Sequence, residues 1–279
     1  MMLLKIIFAM TAFAANSVLC RVALKGGHID VSTFSGIRLL SGAVLLYFFL
    51  QLRKTHTRPE YNWLNALFLC VYVFTFSIAY VSLNTATGAL LLFGAVQIVM
   101  TGWGLYKGEK LSPAKGAGIL AAVAGICLLL LPGAEAPPMN AAALMVVSGI
   151  AWGFYSLRGK QAKNAAAATT GNFILAIPLS LIATFAIDVH PQTDTVGLLL
   201  AVIAGAITSG AAYLIWYSIV PSLSSTTAST LQLSVPCLAA IGGVMFLGES
   251  MSLRVLFSTA IIMSGIGLVI YSDKKRIKN

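Results

Sequence analysis

Two acidic dipeptides carry the most distinctive chemistry in the sequence. Gly108-Glu109 and Gly248-Glu249 stand 140 residues apart, and each glutamate is followed three positions later by a serine, Ser112 or Ser252. Each carboxylate falls where one apolar run ends and the next begins. There it can accept the unpaired backbone amides that open the following helix, with the serine as a second cap. The other reading is proton uptake and release, but an acid at a helix start already has a structural reason to be there. No Asp or Glu lies in the middle of an apolar run, so no buried acid is placed to relay protons.

Polar side chains inside the apolar runs are the candidates for binding a solute. An amide or phenol in such surroundings is costly unless it finds a partner or lines a cavity. Gln97 and Gln232 fall in the fourth and ninth runs, and Asn16 and Tyr155 in the first and sixth. Arg21 and Arg38 lie toward the ends of their runs. Either they snorkel to the interface, or they sit in a wetted vestibule and attract a carboxylate. Tyr72, Phe76 and Tyr80 recur every four residues and share one helical face, while Tyr213, Trp216 and Tyr217 cluster on the eighth run. Packing and interfacial belts are the ordinary use of such residues. If with Trp152 they line a pathway, the pocket is broad and partly apolar, suited to neutral or zwitterionic solutes with an apolar body.

Enzyme chemistry lacks its defining residues. His28, His56 and His190 all fall between runs, and there is no H-E-x-x-H, P-loop or Gly-x-Ser-x-Gly pattern. Cys20, Cys70, Cys127 and Cys237 stand singly in apolar stretches, as packing residues do. No metal and no cofactor is expected. The net charge of +10 comes from basic residues spread between the runs instead of gathered in one patch with aromatics, so no nucleic-acid partner is expected either.

These residues must be positioned by membrane-spanning helices. Of the 279 residues 58% are hydrophobic and 9% charged, and the mean hydropathy is +0.90, a composition that cannot present a wetted surface around one buried core. Ten apolar runs are long enough to span a bilayer: 3–23, 32–51, 62–80, 85–106, 113–132, 140–158, 170–188, 195–217, 223–247 and 252–272. Placing both termini in the cytoplasm puts fourteen Lys and Arg on that side and four on the other, as the positive-inside rule requires. Ala12-Phe13-Ala14 resembles a leader-peptide cleavage site, but the repeat described next needs the first run as a working helix.

Shifting the chain by 140 residues aligns 82–112 with 222–252 without a gap and matches Ser82-Leu83, Thr87, Leu91, Gly102, Gly108-Glu109 and Ser112 to identical residues. Each copy holds five runs, an odd number, so the second must lie upside down relative to the first. The expected fold is therefore an all-α integral membrane protein of ten transmembrane helices, in two inverted five-helix repeats over 1–133 and 134–279. Such repeats suit two halves that rock about a central site.

With these features the sequence resembles the drug/metabolite transporter superfamily, and in particular its EamA-type ten-helix members. The marker is the small-residue-rich helix ending in Gly-Glu and a following serine, present twice. Asn16 and Arg38 also look like family positions. Family halves often carry Trp-Gly on their first helix and a proline in the middle of their fourth; here the second half keeps Trp152-Gly153 and Pro236, whereas the first has Phe13-Ala14 and Val96. No helix break is therefore expected at Val96, and any asymmetry of motion should favour the Pro236 side. The resemblance implies export or exchange of metabolites such as amino acids. A small-solute channel or facilitative pore is the alternative, and a membrane protein without transport activity is the third reading. The expected setting is a bacterial inner membrane, with lipid and a small solute as partners.

Overall fold

The computed structural model describes residues 2–52, 57–109, 112–130, 137–186, 191–250 and 252–278. The expected junction at 133 and 134 lies outside them, as do His56 and His190. The helices are α1 (Met2–Lys25), α2 (Val31–Leu52), α3 (Trp63–Ser82), α4 (Thr85–Tyr106) and α5 (Pro113–Leu130). The second half supplies α6 (Met139–Gly159), α7 (Ala165–Ala186), α8 (Thr195–Ser222), α9 (Ser225–Leu247) and α10 (Leu253–Lys278). Eight of them are long and apolar enough to cross a membrane, and α5 and α10 contribute the shorter apolar stretches Pro113–Leu128 and Leu253–Val269. Among the described residues the only extended pairing is an isolated bridge between Ile29 and Thr193.

Burial follows lipid as the solvent. Large apolar side chains such as Phe48, Leu52, Ile182, Phe185 and Phe246 point outward, while Asn16, Arg38, Gln97, Ser209 and Gln232 are buried. In hydrocarbon only helices satisfy every backbone group internally, which is why the apolar runs become helices despite their many β-branched residues.

Helix α10 continues to Lys278, past the expected end at 272, and three other helices depart from the expected runs. Helix α7 begins at Ala165 rather than at 170. Thr169 and Thr170, polar enough to suggest a loop, turn their hydroxyls back onto the Ala165 and Ala166 carbonyls and stay helical. Helix α8 contains a π-helical segment at Ala206–Ala211. Helix α9 is divided into Ser225–Gln232 and Val235–Leu247, the interruption falling just before Pro236, while α4 runs unbroken past Val96. Proline has no amide to donate and its ring excludes the preceding turn, so the break lies beside Pro236 and, as expected, none falls at Val96.

Helix packing is symmetric under exchange of the halves. Helix α1 packs on α8 and α9 as α6 packs on α3 and α4, while α2 with α7, α4 with α9 and α5 with α10 form pairs across the two halves. The α5/α10 pair is antiparallel and close. A Cβ on Gly118 would meet the Gly265 carbonyl oxygen at 2.5 Å, and one on Gly265 would collide with the Gly118 carbonyl in return. Small residues are what let helix backbones approach in lipid. Gly118→Leu should therefore lower the melting temperature in detergent, by the equivalent of about 1–3 kcal/mol of overpacking, whereas the same change at Gly116, which has open space around it, should leave melting unchanged.

Candidate functional site

The two glutamates cap helices, but not the ones that follow them in sequence. Glu109, at the end of α4, accepts the backbone amides of Ser225 and Thr226 at 2.7 and 3.2 Å and the Thr226 hydroxyl at 2.9 Å, all at the start of α9. Glu249, at the end of α9, accepts the Thr85 amide that opens α4 at 2.8 Å. Each half thus caps the other half's fourth helix, and α4 and α9 run antiparallel. Ser112 and Ser252 cap α5 and α10 as expected, accepting the Lys115 and Val255 amides at 3.3 Å each.

Local sequence explains how the carboxylates turn inward. Gly108 and Gly248 have φ of 84° and 61°, left-handed values that glycine adopts without strain, and so reverse the chain at each helix end. One turn back, a Cβ on Gly104 or Gly243 would stand 2.6 Å from the Glu109 or Glu249 carboxylate oxygen; their missing side chains make room for it. Burial alone would raise the Glu109 pKa, but the Ser225 and Thr226 donors outweigh it and hold the carboxyl below its ordinary 4.5.

Neither arginine snorkels: Arg21 is 5% and Arg38 0% exposed. Arg21 joins the Glu249 cap, its Nε lying 3.3 Å from Glu249 and its Nη1 donating at 2.7 Å to the Tyr80 and Val81 carbonyls at the end of α3. Arg38 has no carboxylate within 4.0 Å among the described residues. Its donors meet neutral hydroxyls instead: Nε to Ser209 at 3.0 Å, and Nη2 to Tyr72 at 2.9 Å and Tyr213 at 3.4 Å. The guanidinium carbon lies 5.2 Å from the centroids of the Tyr72 and Phe76 rings. Nη1 has no hydrogen-bond partner.

Around this cation the expected residues gather from both halves. Asn16 donates to the Tyr72 hydroxyl at 3.4 Å and accepts from Thr208 at 3.2 Å. Trp152 lies 5.1 Å from Tyr72 and 4.7 Å from Tyr213, ring to ring, and donates its indole N–H to Gln232 at 2.7 Å. Phe13, in the place that corresponds to Trp152, touches Trp152, Tyr213 and Trp216 edge-on at 5.5, 5.9 and 6.1 Å. Tyr155 lies between Trp152, tilted against it, and Tyr217, which it meets edge-on, both at 5.7 Å.

No hydrogen bond joins Tyr80, Gln97 or Pro236 to Arg38 among the described residues, and Tyr80 reaches it only through the Phe76 ring, centroid to centroid at 4.6 Å. The Tyr80 hydroxyl donates to the Thr85 carbonyl, serving the turn into α4. Gln97 bonds Thr101 within its own helix at 3.0 Å. Pro236 sits at the break in α9.

Sequence reading missed Thr208 and Ser209. Both lie in the π-helical segment of α8, whose wider turn directs them at Asn16 and Arg38, and the one available signal was the run Thr208-Ser209-Gly210 inside an apolar span.

A polytopic helical membrane protein with two interlocked inverted repeats is therefore defined by fold and by site. The sequence matches the EamA-like transporter family over residues 1–131 and 139–271, and the chain belongs to that family, within the drug/metabolite transporter superfamily. It is 43% identical over 269 residues to an uncharacterized protein of Pseudomonas aeruginosa, covering 96% of this chain and 94% of the relative. It is 25% identical over 276 residues to an uncharacterized transporter of Archaeoglobus fulgidus, covering 93% of each. A crystal structure at 17% identity superposes with a TM-score of 0.74, over 95% of this chain and 98% of the other, and shows the same fold. The protein is a membrane solute transporter.

The caps predict unequal costs. Glu249→Ala leaves Arg21 buried without its counter-charge and should destabilise by about 3–5 kcal/mol, whereas Glu109→Ala removes only a cap, about 1–2 kcal/mol; thermal unfolding in detergent ranks them. Because the Glu109 pKa is lowered on folding, its contribution is complete above the ordinary value and is lost as pH falls through the folded value. Followed from about pH 6 down to about pH 3, the melting temperature should therefore fall less for Glu109→Gln than for wild type.

Proposed function

We propose that this chain is a secondary transporter of small organic metabolites, neutral or zwitterionic amino acids above all, and that it works by alternating access around Arg38. The observation that carries this reading is a fully buried guanidinium with neutral partners. A cation deep in a membrane protein costs from about 3 to more than 10 kcal/mol. Hydrogen bonds to hydroxyls and two aromatic faces at about 0.5–2 kcal/mol each offset part of that. With no carboxylate within 4.0 Å of it among the described residues and Nη1 unpartnered, the site retains a demand for an anion that a solute carboxylate would meet. The surrounding Phe13, Tyr72, Phe76, Trp152 and Tyr213 rings suit an apolar body, and the Asn16 and Tyr155 polar groups suit an ammonium or hydroxyl.

The two five-helix halves, 1–133 and 134–279, rock about this centre without covalent chemistry. Breaking the Glu109 cap would part the halves on the basic face; breaking the Glu249 cap would part them on the other. The fourteen-to-four split of basic residues supports cytoplasmic termini, and the Pseudomonas relative supports a bacterial inner membrane.

Counterflow of radiolabelled neutral amino acids into proteoliposomes tests the reading. Saturable exchange is expected for wild type. Arg38→Gln should lower kcat/KM by about 10- to 100-fold, the worth of one charge-assisted contact, while eluting as a folded monodisperse species. Amines lacking the carboxylate should not compete. Non-saturating current, no exchange of any neutral amino acid, or full activity of Arg38→Gln would overturn it.

A further inference from the structure

The inverted repeat places equivalent clasps at the two ends of the molecule, and they are not equally closed. On the face away from the basic loops, the α1–α2 turn is tied to the segment preceding α8. Asp30 donates its amide to the Gln192 carbonyl and Asp194 to the His28 carbonyl, both at 2.9 Å. The His28 Nδ1 lies 2.7 Å from the Asp194 carboxylate, whose other oxygen caps α8 through the Gly197 amide. On the basic face the corresponding elements are the start of α7 and the segment preceding α3. Their backbones are also joined, Glu60 to the Ala167 carbonyl at 3.0 Å, and Asn62 caps α3 as Asp194 caps α8.

There, however, the side chains stand apart and leave a polar cavity of about 240 Å³, lined by Glu60, Asn62, Asn65, Arg158, Gln161 and Asn172 among others. Its rim carries both charges a zwitterion needs. The Arg158 guanidinium is oriented by its Nε bond to Asn65, which leaves its other N–H donors for a carboxylate, and Glu60 offers a carboxylate to an ammonium. Its floor is Asn172, 4% exposed, whose Oδ1 makes no hydrogen bond. The Tyr155 side chain interacts with Asn172, yet its hydroxyl also closes no hydrogen bond. Beyond Tyr155 the path is short: its ring lies 6.3 Å from that of Tyr213, whose hydroxyl takes Arg38 Nη2.

We propose that this cavity between α3, α6 and α7 is an outer binding site for a zwitterionic amino acid on the basic face, and that Asn172 and Tyr155 pass the solute between it and Arg38. The site rests on the transport reading above and adds to it a place of first capture and a side. Arg158 and Glu60 are exposed at the rim, so neutralising them buries nothing new, and Asn172→Leu closes the floor.

The test is sided kinetics in oriented proteoliposomes with the radiolabelled neutral amino acid that wild type exchanges fastest. Arg158→Gln and Glu60→Gln should each raise KM from the basic face by about 5- to 10-fold, the worth of one hydrogen bond to a charged group, and leave KM from the opposite face and kcat unchanged. Asn172→Leu should slow exchange, while the melting temperatures of all three variants stay at that of wild type. Unchanged KM in both rim variants, or an equal rise from both faces, would overturn the outer site and leave the transport reading standing. Absence of exchange by wild type would overturn both.

Discussion

A helix that begins inside a membrane protein exposes amides that lipid cannot satisfy, and in this chain the start of each half's fourth helix is satisfied by a carboxylate from the other half. Glu109 holds the start of α9, and Glu249 the start of α4. The remaining architecture follows from that exchange. It fixes α4 and α9 as antiparallel neighbours and sets the depth at which the halves interlock. It also explains why glycines 104, 108, 243 and 248 are needed around the acids, two for space and two for the left-handed turn. Capping of this kind is worth only about 1–2 kcal/mol per site. Reciprocal caps can therefore hold two halves in register and still be exchanged for solvent at a modest cost.

The two caps differ in one respect that symmetry would not supply. Arg21 joins Glu249 to the carbonyls ending α3, making one knot of three helices on that face. The position corresponding to Arg21 is Lys160, which reaches the Ser225 hydroxyl at 3.4 Å and makes no ion pair with Glu109 within 4.0 Å. The basic face is thus held by neutral donors and the opposite face by a buried charge pair, reinforced by His28 and Asp194 at its rim. Near-degenerate closure of the two faces is what an inverted repeat provides, and these substitutions bias it.

Asymmetry at the centre has a similar origin. Arg38 has no cationic counterpart in α7, where the corresponding stretch holds Ile177 and Pro178. Its shell is assembled by irregular backbone: the π-helical turn of α8 brings Ser209 and Thr208 to face it, and the break before Pro236 falls just beyond Gln232, which anchors Trp152. Non-helical backbone at membrane depth persists where protein, not lipid, surrounds it, and both irregularities occur against the aromatic cluster.

The sequence by itself determined the class, the ten spans, their inversion and the absence of a helix break at Val96, because hydropathy over about 20 residues, an odd number of spans per repeat and the chemistry of proline are local or countable properties. It also marked Glu109 and Glu249 as caps, and Asn16, Tyr72, Trp152 and Tyr213 as residues worth watching. Only the tertiary structure decided what these groups meet. From sequence alone a carboxylate at a helix end is nearest to the next helix, but folding places it beside an amide more than a hundred residues away. Arg38 lies only about 10 Å into α2 at 1.5 Å per residue, shallow enough to snorkel along a lone helix. It is buried because α3 and α8 close over it with aromatic rings and hydroxyls. Such partners come together through contacts between distant segments, and the period of a single helix carries no record of them.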